Sequence, residues 1–159
     1  MTILYLLRHA HAGDPERWHG DDDLRPLSDK GRRQSERLGA VLAGWKEAPD
    51  LFLTSPRVRA AETAELVAAG LDARVVTDDR LAGPLDATVA AAIVEAHDAE
   101  RPCLVGHDPD LSYLLGELTG GSTIPMRKGA FARVDFPGPV GEGEGTIRVL
   151  LPPEVIAAR

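Results

Sequence analysis

Short β-rich runs alternate with longer helical stretches along this chain, and that alternation limits the possible folds more than any other feature. The β-rich runs lie at residues 3–7, 51–54, 74–77 and 102–105. Between them, at 28–45, 56–69 and 85–97, apolar residues recur every three or four positions, as one face of a helix requires. A further helical stretch, 109–118, runs out at Thr119-Gly120-Gly121. The remainder reads as two strands, 130–136 and 146–151, joined by a loop rich in Pro, Gly and Glu. Ser28 and Ser55 stand where N-caps belong, Pro56 where a first-turn proline is tolerated, and Gly70 at a helix stop. The alternation predicts an α/β fold whose mostly parallel sheet is covered on both faces. The last two strands predict an antiparallel addition to it. With no internal repeat or linker, the 159 residues read as one domain spanning positions 1–159.

In open α/β sheets, ligands bind beyond the carboxyl ends of the strands, so the residues that follow each run matter most. The first run drives straight into Arg8 and His9. The second is followed by S-P-R-V-R-A-A-E-T, with Arg59 in the opening turns of the next helix. The fourth leads into V-G-H-D-P-D-L, with His107 just before a helix N-terminus. Residues 10–26 form a long polar segment without periodicity directly after His9, which suits a functional flap. Two arginines, two histidines and the unpaired N–H groups of helix N-termini on one sheet edge make an anion site, above all for phosphate.

Those residue types suit phosphoryl transfer. A neutral imidazole, with a reference pKa of about 6.5, can attack phosphorus in line and carry the phosphoryl group until water removes it. The remaining demands are positioning and cations around the equatorial oxygens, which arginine forks meet. Three stretches in order resemble the histidine phosphatase superfamily, the phosphoglycerate-mutase-like enzymes. L-L-R-H-A-H at 6–11 is similar to its R-H-G signature, S-P-R-V-R-A-A-E-T at 55–63 to its S-P-x-x-R-A-x-x-T, and V-G-H-D-P-D-L at 105–111 to its G-H-x-P. The short length and R-P-L-S-D-K-G at 25–31 most resemble the small, SixA-like phosphohistidine phosphatase branch. The resemblance implies a single three-layer α/β/α sandwich without a cap domain. It implies His9 as nucleophile, with Arg8, Arg59 and His107 binding the phosphoryl group and Arg25 as a second-tier phosphate contact. It also implies a cofactor-free, metal-independent enzyme whose partner is a phosphorylated protein, with phosphohistidine the first expected substrate. Arg57 is expected on the exposed helix face.

The sequence departs from the family pattern twice. Ala10 replaces the glycine of R-H-G. The stretch after the third run, D-D-R-L-A-G-P-L-D, lacks the glutamate proton donor found there in many members. An alkoxide leaving group needs a general acid, whereas a phosphoimidazole protonated on its other nitrogen leaves as neutral imidazole. The missing acid therefore favours an N–P substrate, whereas Asp14, Asp22 and Asp23 in the flap are candidate substitute donors that would restore ester chemistry. Two alternatives stay open: a phosphomonoesterase acting on small molecules or on phosphoserine and phosphothreonine, and a non-catalytic phosphoprotein-binding module.

Composition excludes other classes. A net charge of −7 argues against a nucleic-acid partner, while screening over about 8 Å leaves local pocket charges in control. No stretch approaches the roughly 18 apolar residues of a membrane span, and the N-terminal run is too short for a signal peptide. A single cysteine, Cys103, rules out an internal disulfide framework and suits the cytoplasm. Cys103 and Trp45 read as packing residues. H-A-H at 9–11 with Asp14, His19 and 21–23 also suggests metal ligands, but alternate positions on an irregular loop fix no geometry, and a solvated acidic flap accounts better for the aspartates.

Overall fold

A computed structural model describes residues 1–156. Its elements in chain order are β1 (Thr2–Arg8), α1 (Asp29–Leu42), β2 (Leu51–Thr54), α2 (Val58–Ala68), β3 (Arg74–Thr77), α3 (Ala87–Ala96), β4 (Pro102–Gly106), α4 (Asp110–Leu118), β5 (Phe131–Phe136) and β6 (Thr146–Leu151). They build one six-stranded sheet in the order β3-β2-β4-β1-β5-β6. The first four of these neighbours run parallel, and β5 and β6 add on antiparallel beyond β1.

The two-residue period of a strand decides which side chain meets which helix layer. In β1, Leu4 and Leu6 face one way and pack with Leu53, Leu104, Ile93, Leu111 and Leu115 of the α3/α4 side. Ile3, Tyr5 and Leu7 face the other way, with Phe52, Cys103, Val105, Leu38 and Val67 of the α1/α2 side. Central strands buried on both faces have no polar side to show, which is why β1, β2 and β4 read as unbroken apolar runs. Edge strands differ. In β6, half-buried and exposed residues alternate, and the ends of β3 are exposed.

Several boundaries move relative to the sequence reading. Ser28 caps α1 as expected, its Oγ accepting from the Gly31 N–H at 3.1 Å, but the helix stops at Leu42. Trp45 lies beyond it, edge-on to Phe131, and Cys103 is fully buried, so both are packing residues. Asp86 caps α3 through the Val89 N–H, leaving Leu85 free to join the core. Ser55 is not the cap of α2. The helix starts two residues later, after Arg57, because the Ser55 side chain is committed elsewhere. The flap, expected to be irregular, contains two 3-10 turns, Pro15–Arg17 and Asp22–Leu24, capped by Asp14 and Asp21. Among the described residues no helix is long and apolar enough to cross a membrane.

Candidate active site

The sheet order brings the two histidines together. β1 and β4 are parallel neighbours with Arg8 opposite Gly106, and the His9 N–H donates to the Gly106 carbonyl at 3.0 Å. The residues that leave these strands are therefore adjacent, and the His9 and His107 rings lie 5.3 Å apart, centroid to centroid. β2 on the far side of β4 supplies Ser55, whose N–H donates to Val105. Its hydroxyl bonds His107 Nε2 at 2.8 Å and accepts from the Arg57 N–H at 3.2 Å.

The first helix turns after β2 bring Arg59 to the same place. Thr63, one turn further on, accepts from the Ala10 N–H at 3.1 Å and donates to the Arg59 carbonyl at 2.7 Å. The R-A-x-x-T spacing thus fastens α2 to the residue after His9. Ala10 needs no left-handed backbone, and its side chain packs with Ala12 and Leu27. A methyl group is accommodated where the family pattern has glycine.

Both histidines are held neutral. His9 Nδ1 sits 2.8 Å from the Ala10 carbonyl. That oxygen can only accept, so Nδ1 carries the proton and Nε2 keeps its lone pair. Burial, reinforced by Arg59, Arg8 and Lys128 against the pull of that carbonyl, lowers the His9 pKa to about 3. Burial and the neighbouring charges also bring His107 to about 3.

The cations are anchored at one end and open at the other. Arg8 Nη1 donates to the Met126 carbonyl at 2.9 Å and approaches Asp108 at 3.4 Å. Arg59 Nη1 donates to the Asp22 carbonyl at 2.8 Å, with Nη2 at 3.2 Å from the Asp22 carboxylate. Arg25 donates to the Ala12 carbonyl at 2.7 Å and to Asp22 at 2.8 Å. Three buried polar side-chain atoms, Arg8 Nε, Arg59 Nε and His107 Nδ1, have no partner among the described residues. Unsatisfied buried donors are rare and costly. Here all three belong to residues flanking the His9 ring, and an anion with several acceptor oxygens would satisfy both guanidinium N–H groups together.

Other predicted residues fall into place around this centre. Asp22 is clamped between Arg25 and Arg59, and the Arg25 hydrogen bond, then the arginine charges, lower its pKa. Asp23 pairs with Arg57 at 3.0 Å, and Asp14 caps a flap turn. Arg57 is not on the exposed helix face. It is half-buried, crosses to the flap through Asp23 and reaches the Ala82 carbonyl, because it precedes the helix and points over the sheet edge. His11 turns away from His9 to Ser28 Oγ at 2.6 Å. After β3, Asp78 is tied up by Arg80 at 2.6 Å and His97 at 3.0 Å, Asp86 caps α3, and Asp79 is exposed.

Sequence reading missed Lys128. Its charge acts on His9, and burial together with Arg8, Arg25 and Arg59 lowers its own pKa. It enters because β5 runs antiparallel to β1: Gly129 N–H donates to the Arg8 and His9 carbonyls at 3.1 and 3.0 Å, which sets the preceding residue beside the site. No local motif marks it. Ser55 was visible in S-P-x-x-R, but nothing in that stretch announces its bond to His107.

The sequence model of the histidine phosphatase superfamily, branch 1, matches residues 4–83, about half of the chain. This chain belongs to the histidine phosphatase superfamily. Phosphohistidine phosphatase SixA of Escherichia coli is 30% identical over 130 residues, which cover 77% of this chain and 78% of that protein. A structure of SixA complexed with tungstate superposes with a TM-score of 0.82 at 26% identity, covering 98% of this chain and all of that one. The 8-oxo-(d)GTP phosphatase of Mycolicibacterium smegmatis is 42% identical over 71 residues, 45% of this chain and 21% of that protein. The chain is a SixA-like, histidine-type phosphatase.

Proposed function

We propose that this phosphatase removes the phosphoryl group from phosphohistidine in a protein, through a phosphorylated His9. The observation that carries the mechanism is the coincidence of an unprotonated His9 Nε2 with two unpartnered guanidinium donors, Arg8 Nε and Arg59 Nε, and an unpartnered His107 Nδ1. His9 Nε2 attacks phosphorus, forming a new N–P bond as the substrate's N–P bond breaks. The phosphoryl oxygens then lie among preorganised donors, and Lys128 adds a further cation. Arg25 acts one step back, by holding Asp22 and the flap. Water attacks the phosphohistidine in the second step, inorganic phosphate leaves, and His9 returns to its neutral state.

The preference for an N–P substrate follows from the carboxylates. Asp22 is held ionised by two arginines, the reverse of what a proton donor needs. Asp23 is paired with Arg57, Asp14 caps a turn, and Asp78 after β3 is held by Arg80 and His97. A protonated phosphoimidazole needs no such donor. The likeness to SixA supports the same substrate class.

The test is hydrolysis of a phosphohistidine peptide against p-nitrophenyl phosphate, with and without EDTA. Preference for the N–P substrate, insensitive to chelator and abolished in His9→Ala, is the expected result. Undiminished turnover by His9→Ala refutes the mechanism. Preference for the ester moves the substrate to phosphomonoesters, and phosphate binding with no turnover of either makes the site a binding module.

A further inference from the structure

The face of α1 beside the active site carries cations in an otherwise acidic protein. Lys30, Arg33 and Arg37 lie at i, i+3 and i+7, one face of a helix, and line a groove of about 350 Å³ with Gln34, Pro153 and Glu154. Among the described residues no carboxylate pairs with any of the three. The only carboxylate in the groove, Glu154, is bonded to Arg127 at 3.1 Å. Its pKa is lowered by its own backbone N–H and then by Arg127 and Lys30. This chain thus already seats one carboxylate in the cationic groove.

The groove abuts the catalytic residues. Gln34, in its wall, accepts from the His11 N–H at 3.1 Å, and a side chain at Gly129 would touch both Gln34 and Pro153. Gly129 itself donates to the Arg8 and His9 carbonyls. Lys30 and Lys128 both act on the His11 ring, which burial first moves down in pKa. Lys128 and Lys30 thus link the phosphoryl site to the α1 cations through the neighbourhood of His11. With a rise of about 1.5 Å per residue, the α1 cations span roughly 10 Å, the length of three or four extended residues.

We infer that this groove docks the acidic surface next to the phosphorylated side chain of a partner protein. The inference rests on the proposed protein substrate and adds a recognition element to it. Charge complementarity argues for an acidic partner: in a chain of net charge −7, Lys30, Arg33 and Arg37 line one groove beside the phosphoryl site, so the strip selects orientation as well as partner.

Two peptides test it, each with one central histidine, flanked either by glutamates or by glutamines. Fluorescence anisotropy of the labelled, unphosphorylated peptides reads the groove alone. Hydrolysis of their phosphohistidine forms reads groove and chemistry together. Wild type should bind the glutamate peptide about tenfold more tightly at low salt, with the difference lost at high salt. R33E/R37E should erase it and lower kcat/KM for the phosphorylated glutamate peptide about tenfold, leaving turnover of the glutamine peptide unchanged. Equal binding of both peptides by wild type, or unchanged preference in R33E/R37E, overturns the groove. Selective binding without turnover of either phosphopeptide leaves the groove standing and refutes the phosphohistidine reading instead.

Discussion

The neutral histidine pair makes stability depend on pH in a way that the structure quantifies. His9 and His107 are only 6% and 9% exposed, and both have folded pKa values of about 3. In the unfolded chain each returns to about 6.5. The sign follows directly: between those values the unfolded state binds protons that the native state refuses, so stability falls as pH drops through that window. From about pH 7.5 to about 5.5, each histidine accounts for about 1.4 kcal/mol, hence about 2.7 kcal/mol for the pair. The figure barely depends on how far below 5 the folded pKa lies. In a domain of this size the change lowers Tm by about 5–10 °C. The assay is urea or thermal unfolding at both pH values for wild type and for a His9→Asn/His107→Asn variant, whose pH dependence should be smaller by that amount. Saturating inorganic phosphate should shrink the loss in wild type, since an anion among the cations lets His107 take up a proton. Parallel pH dependences in wild type and variant would refute the electrostatic account of the site.

Three further outcomes follow from the same geometry. Arg59→Ala removes one preorganised donor and should lower kcat/KM by about 10²–10³, measured on the phosphohistidine peptide, with little change in Tm. Asp22→Asn should tighten inorganic phosphate binding about two- to fivefold by titration, since a half-exposed carboxylate worth about 0.2–1 kcal/mol no longer competes for Arg25 and Arg59; the Ala12 and Asp22 backbone carbonyls still hold both arginines in place. Gly31→Ala should destabilise by about 1–3 kcal/mol, although helix propensity alone predicts a gain of about 1 kcal/mol. Its Cβ would collide with the His11 carbonyl, which already accepts from Ser28 N–H and Oγ; a raised Tm would contradict this packing.

Much of this protein is written locally. Leu51–Thr54 and Arg74–Thr77 are strands because β-rich apolar residues sit between turn signals, and those boundaries match the structure. Ser28 caps α1 because its own hydroxyl reaches the Gly31 N–H three residues on. Arg8-His9, R-A-x-x-T and G-H-x-P are short-range patterns, so the family and the central residues of the candidate site were legible without coordinates. What needed the tertiary structure are relations between distant segments. Ser55 looks like a cap until β2 and β4 pair and set its hydroxyl on His107. Arg57 looks like a solvated helix charge until the flap folds over it and supplies Asp23. Asp22 looks like a spare acid until Arg25 and Arg59 close on it from two different elements. Lys128 enters only because β5 runs antiparallel beside β1. Periodicity and capping act over one or two turns of chain, whereas charge and burial act through space, so the sequence specified the elements and the reactive groups while sheet order decided their partners and protonation states.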